Sequence, residues 1–347
     1  DRYMPSWNRY LSQKDGEGIY EMMDFKVHRL AAYFPSQKAI FKSPKKLADT
    51  IEKEDFDILH LYGLGTFSTL MVLYFSLKRK KRFPAIVVSD HTDARTHKRE
   101  GVHAKFYYFF FGLTLSIFQK QIKKVITFAD QSRDLLSKRF SFNKDKFEVI
   151  PLGYDQDAYK FKEKLKNTED KFIIGYAGKI DEKKKVHDLI KAMAKTQCRD
   201  EVRLIVVGFT EDNYGKYLVN LARENNIEVE FRPLANQKQL MEFYNYINLA
   251  VFPGGISITT IEANGCGTPV LIYKSIQGLE SRVENGRGVL FDTEKELVEN
   301  IENYYSLYTK GEIDYHCIEQ ETKNSSSWKN IIGSYLKLYI QVNKNGK

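Results

Sequence analysis

Short, nearly continuous apolar runs alternate with helical stretches along the chain from Asp57 onward. The first series is DILH at Asp57–His60, PAIVVS at Pro84–Ser89, KVITF at Lys124–Phe128 and FEVI at Phe147–Ile150. A second series follows at Phe172–Ala177, Arg203–Val207, Ile227–Phe231, Leu249–Phe252, Pro269–Ile272 and Gly288–Phe291. Runs without polar alternation are buried on both faces, which predicts parallel sheets. Helical patterns such as Val186–Thr196 and Gln237–Tyr246 lie between them. Two successive series predict two doubly wound α/β domains. The charged stretch Tyr159–Asp170 lacks apolar periodicity and reads as a linker, which sets the domains at residues 1–158 and 159–326, with 327–347 as a terminal helix. The start of the chain differs. Asp1–Met22 is polar and irregular, Asp15–Gly18 signals a turn, and Lys26–Leu30 reads as a short edge strand. With no opening apolar strand and glycine turn, the first domain reads as short of its first βαβ unit.

Composition narrows the class. The 347 residues are 42% hydrophobic and 29% charged, a globular balance. Cys198, Cys266 and Cys317 stand far apart with no CxxC pair, which excludes a disulfide scaffold and suits a reducing, cytoplasmic setting. No run of about 18 apolar residues and no cleavable signal is visible. The net charge of +9 favours encounters with anions without choosing among nucleotide phosphates, nucleic acid and anionic lipid.

Two segments carry candidate chemistry. In VFPGGISITTIEANGCGTPVLIYKS (Val251–Ser275) a buried strand ends at Phe252, glycines Gly254 and Gly255 turn the chain, and a helix begins near Ser257. Unpaired N–H groups at such a start make an anion site. Ser257 and Thr259 can add hydroxyls, and Glu262 one turn later can accept from sugar hydroxyls. The same segment reads equally as a plain strand–helix connection. In GYAGKIDEKKKVHDLIKA (Gly175–Ala192) the pattern recurs, with Gly178 at the turn and Lys179 and Lys184 after it. Two cations on one loop can clamp a diphosphate, although DEKKK alone reads as a solvated charge run.

These segments, in this order and about 75 residues apart, resemble the retaining GT-B glycosyltransferases of the "glycosyl transferases group 1" family. Gly178–Lys185 matches the family's G-R-L-x-x-x-K-G, with Lys179 for its arginine, Lys184 for its lysine and Lys185 for its glycine. Pro253, Gly255, Glu262, Ala263, Gly267, Pro269 and Val270 match P-S-x-x-E-G-F-G-x-x-x-x-E-A-x-x-x-G-x-P-V in register. Val149–Asp155 (VIPLGYD) and Ser327–Val342 are similar to the stretch entering the second domain and to the helix crossing back. The resemblance implies two Rossmann-like domains facing across a cleft, with a nucleotide sugar (UDP or GDP) on the C-terminal one and a glycan, lipid-linked or other hydroxyl acceptor on the N-terminal one. Lys179 and Lys184 would hold the diphosphate, Glu262 the ribose, and the amides near Ile258–Thr260 a phosphate. The family's first glutamate falls on Gly254 here. The same architecture serves an NDP-sugar epimerase, and a non-catalytic nucleotide- or nucleic-acid-binding module remains a further alternative.

In VVSDHTDA (Val87–Ala94), Asp90, His91 and Asp93 sit at a strand's C-terminal end, where open α/β sheets bind ligands. The resemblance places His91 beside the transferring sugar. His60, in HLYG, reads as a similar strand-end position. No His/Cys/Asp cluster has metal-ligand spacing, and the D-x-D at Asp155–Asp157 falls in the linker region. No metal and no cofactor is therefore expected. Lys78–Arg82 (KRKKR) and HAKFYYFFFGLTLSIFQKQIKK (His103–Lys124) form a basic–aromatic tract, which reads either as a buried helix beside a charge run or as an amphipathic element on an anionic membrane's inner face. No nucleic-acid motif accompanies the charge.

Overall fold

A computed structural model describes residues 18–22, 25–31, 33, 42–78, 83–92, 101–164, 171–254, 257–274 and 279–344. The chain divides into two compact units, residues 1–150 with 335–347, and 151–334. The first holds β1 (Gly18–Met22), β2 (Phe25–Arg29), α1 (Pro44–Lys53), β3 (Ile58–Tyr62), α2 (Phe67–Lys78), β4 (Ala85–Ser89), α3 (Val102–Phe118), β5 (Ile122–Thr127), α4 (Asp130–Phe140) and β6 (Phe147–Val149). The second holds β7 (Phe172–Ala177), α5 (Val186–Lys195), β8 (Val202–Val207), α6 (Asn213–Glu224), β9 (Val229–Arg232), α7 (Gln237–Tyr246), β10 (Leu249–Phe252), α8 (Thr259–Gly265), β11 (Val270–Tyr273), β12 (Gly288–Phe291), α9 (Glu294–Lys310) and α10 (Tyr315–Ser326). The last helix, α11 (Trp328–Lys344), begins in the second unit and ends in the first.

The apolar runs form the expected parallel sheets. In the second unit the strand order is β12-β11-β10-β7-β8-β9, every pair parallel. The chain starts at β7, winds outward through β8 and β9, then returns to β7's other side with β10. That reversal between β7 and β10 is the topological switch point of a doubly wound sheet. All six residues of β7 are buried. Strand alternation puts Phe172 and Gly175 on opposite faces. Phe172 meets Tyr305 and Tyr308 of α9, and Gly175 lies under Phe243 and Ile247 at the end of α7. Both faces are therefore covered by helices.

The first unit's sheet is simpler. Its described strands run in the order β3-β4-β5-β6, all parallel and without reversal, so this sheet is one wing of the doubly wound pattern. Gly18–Met22, read from its polarity as irregular, instead pairs antiparallel with Phe25–Arg29. Five residues are too few for a periodic signal, and hairpin pairing supplies the order.

The boundary between units also shifts from the charged stretch to Ile150/Pro151. Residues 151–164 are packed on the second unit. Tyr154 is buried and bridges to Ser327, and Tyr159 is buried near Tyr244. Lys164 Nζ donates to the Tyr244 and Ile247 carbonyls, at 2.6 and 2.7 Å, and to Thr268 Oγ1 at 2.7 Å. The lysine caps the C-terminal end of α7, where carbonyls lack helical partners. Charge patterning hid this, because an ammonium that serves carbonyls inside a protein looks like a solvated one in sequence. Lys164→Met is expected to lower unfolding free energy by about 1–3 kcal/mol, since acceptors lose their shared donor; urea denaturation measures it.

Candidate functional site

The switch point gathers the two glycine turns. Gly208, at the end of β8, has φ +105, and a Cβ there would lie 2.1 Å from the Gly178 carbonyl oxygen. Gly254, after β10, packs on the lysine loop: a Cβ would meet Lys184 Cα at 2.4 Å and the Lys183 oxygen at 2.8 Å. Segments about 70 residues apart in sequence thus meet backbone to backbone. This contact also explains why no carboxylate stands at 254: the lysine loop fills the space that a side chain would need.

Asp181 shapes the loop by capping a short turn, Glu182–Lys184, through a bond from Lys184 N to its carboxylate. Lys179 is 81% exposed, with its Nζ 3.2 Å from Asp181. Lys185 takes the left-handed conformation (φ 54) at the start of α5, where the related motif has glycine, and its ammonium lies 4.6 Å over the Tyr273 ring. Sequence reasoning treated Lys185 only as a departure from a motif. The structure adds it to the cations of this loop.

At α8, no side chain caps the first turn. Thr260 is fully committed inward, with its N–H and its hydroxyl both donating to the Ser257 carbonyl. It therefore offers a ligand no donor, contrary to the sequence expectation, because the turn entering α8 consumes both groups. The Thr259 hydroxyl is buried, beside the hydroxyl of Tyr244. Among the described residues, the N–H groups of Ile258 and Thr259 have no acceptor. Glu262 lies half-buried beside Tyr159, whose hydroxyl is within hydrogen-bonding reach. Burial pushes the Glu262 carboxyl up to about 7, against the opposing pull of that hydroxyl.

At the carboxyl ends of β8 and β9 a cavity of 460 Å³ opens, lined by Val207, Arg232, Leu234, Gln239, Glu242 and Tyr246 among others. Sequence reasoning passed over it. The available signal was Pro233 directly after a strand.

In the first unit, Asp90 is buried, and its carboxylate accepts the Leu64 and Thr92 amides at 2.8 and 2.9 Å. It organises two strand-end loops, each carboxylate oxygen accepting one of these amides. His60 lies two residues short of the end of β3, so the strand-end expectation is corrected. Its Nδ1 pairs with Tyr339 of α11 at 2.5 Å and its Nε2 with Ser89 at 2.6 Å. It serves as a clamp for the terminal helix. His91 lies past β4, edge-on to Tyr62 at 5.2 Å and to Phe128 at 6.1 Å. Burial lowers its pKa against the opposing charge of Asp90, which favours the neutral imidazole. Tyr62, 64% exposed at the end of β3, joins it at this edge. Asp93 and Gly255 lie outside the described residues. Among the described residues, no group of three or more His, Cys, Asp or Glu can hold a metal ion.

With this geometry in view, comparisons place the chain among known proteins. Residues 157–323 match the family described as glycosyl transferases group 1, and residues 11–158 match glycosyltransferase family 4, so each half carries glycosyltransferase-family sequence. The chain is 25% identical over 185 residues to a D-inositol 3-phosphate glycosyltransferase of Stackebrandtia nassauensis, covering 48% of this chain and 42% of that protein. It is 26% identical over 210 residues to the capsular polysaccharide biosynthesis glycosyltransferase CapM of Staphylococcus aureus, covering 56% and 53%. The match thus spans about half the length of these curated relatives. Among solved structures, Anabaena HepE in complex with UDP superposes with TM-score 0.71 at 17% identity, covering 86% of this chain and 82% of that one. The fold is GT-B, two Rossmann-like domains in one chain.

Two outcomes test this geometry. Gly254→Ala is expected to cost about 1–3 kcal/mol in urea unfolding, because the obstructing neighbour is backbone. For Glu262, the folded carboxyl holds its proton over a pH range in which the unfolded one has lost it. Stability should then decline as pH rises from about 4.5 toward 7, and Glu262→Gln should flatten that decline in a pH series of thermal melts.

Proposed function

We propose that this chain transfers a glycosyl group from a UDP- or GDP-linked sugar to a hydroxyl of a glycan or lipid-linked glycan, with retention at the anomeric carbon and without a metal ion. The observation that carries the reading is the seating of Gly254 on Lys183–Lys184 at the switch point of the second sheet. Open α/β sheets bind ligands at this point, and the backbone contact brings cations and free amides to one place.

Transfer breaks the bond between the sugar carbon and the diphosphate, leaving negative charge on the departing phosphate. Lys184 and Lys179 would stabilise that charge, with the Ile258 and Thr259 amides as further donors. Lysines act here as point charges, without the bidentate fork of arginine. The nucleoside end would extend from the β7/β10 turns toward the cavity beyond β8 and β9, where Tyr246 and Leu234 supply apolar surface and Gln239 a polar edge. A ribose hydroxyl would take the place of Tyr159 as the donor to Glu262. In the first unit, the neutral His91 imidazole with Tyr62 would position the sugar or acceptor. The names of the relatives, a polyol-phosphate and a capsular-polysaccharide glycosyltransferase, and the UDP in HepE support a hydroxyl acceptor and a uridine donor.

The test is a thermal-shift screen of nucleotide sugars, followed by Lys184→Ala on the stabilising donor. The variant should bind about tenfold to a hundredfold more weakly by calorimetry, the scale of a charge-assisted contact. Turnover should persist in EDTA, and NMR of the product should show the donor's anomeric configuration. Undiminished affinity in the variant removes the lysine clamp, and a rearranged sugar without an acceptor adduct points to an epimerase.

A further inference from the structure

We propose that α3 is an interfacial helix that seats the first unit on an anionic lipid bilayer. The helix is apolar on two sides. Its inner side carries Ala104, Phe111 and Leu115, each at most 6% exposed, with Phe111 packed edge-on to Phe67 of α2. Its outer side carries Val102, Phe106, Phe109, Leu113 and Ile117, exposed by 81, 70, 69, 56 and 62%. Their spacing of four, three, four and four residues puts them on one stripe down the helix. Exposed apolar side chains occurring singly are ordinary, but a continuous stripe this long marks a surface that is covered in use.

Charge identifies the cover. No Asp or Glu occurs between Gly101 and Ala129, whereas Lys105 lies on the exposed side of the first turns, and Lys120 and Lys123 follow the helix end. Lys78 ends the adjacent α2 and opens the KRKKR run. A two-fold pairing of this surface with a second copy would set these lysines against one another without a compensating carboxylate. A bilayer with anionic headgroups offers what both features need: phosphates at the level of the lysines and acyl chains beneath the phenyl rings. At 17 residues α3 is about 25 Å long, and no described helix is long and apolar enough to cross a membrane, so the helix would lie in the plane of the interface. The inference stands independently of the reaction, because donor affinity in solution does not involve α3.

The test is co-sedimentation of the full chain with vesicles of phosphatidylcholine alone or mixed with phosphatidylglycerol, at low and high salt. The wild type should sediment with the anionic vesicles, less so at high salt. Phe106→Ser combined with Phe109→Ser should lower partitioning about tenfold or more, with an unchanged melting temperature because both rings are in water. Phe109→Trp should shift its emission to the blue and be quenched by brominated acyl chains. The proposal is overturned by a wild type that stays in the supernatant, by a double variant that binds like wild type, or by an unquenched tryptophan. A wild-type dimer that the double variant breaks, without vesicle binding, would assign the stripe to a second copy.

Discussion

The second unit is organised around a contact in which no side chain takes part. Where the sheet reverses between β7 and β10, Gly254 lies against the backbone of Lys183 and Lys184, and Gly208 lies against Gly178 on the next strand. Side chains at these points would force the two turns apart. Their absence lets two loops from distant parts of the chain share one space, with a row of ammonium groups on one side and the open start of α8 on the other. The cost is a crowded site with little slack. The position that related motifs give to a carboxylate is occupied here by the backbone of the lysine loop.

Cations around that contact are held in different ways. Lys179 extends into solvent beside Asp181, whereas Lys185 is folded over Tyr273. An exposed ammonium is strongly hydrated and contributes little until a ligand displaces the water. Such a loop is suited to stabilising a charge that appears during reaction. In the first unit, hydrogen bonds divide the polar residues at the sheet edge into structural and available ones. Asp90 is bonded to the Leu64 and Thr92 amides, and His60 to Ser89 and Tyr339. Among the described residues, His91 is flanked by the rings of Tyr62 and Phe128 and by the charge of Asp90.

The apolar stripe of α3 follows a different constraint. Its inner residues answer to the core and its outer ones to something outside the chain, so one helix carries two apolar faces. A sequence moment cannot separate them, since apolar side chains all round give almost no periodic contrast. Only burial shows which rings belong to the fold.

What could be read from the amino-acid order alone was considerable. Buried strands require unbroken apolar runs, so both parallel sheets were visible, with β7, β10 and β11 within a residue of their observed limits. The glycine turns and lysines were visible because backbone crowding and anion binding leave distinctive residue types at fixed spacing. Tertiary structure alone decided which polar groups remain free. Thr260, Asp90 and His60 look like donors and acceptors in sequence, but their partners lie on other turns and strands, up to the terminal helix. It also decided that Lys164 is a cap, that Glu262 retains its proton toward neutrality, and that a cavity opens beyond β8 and β9. A hydrogen bond or a burial energy depends on what is nearby in space, and the linear order of residues does not contain that distance.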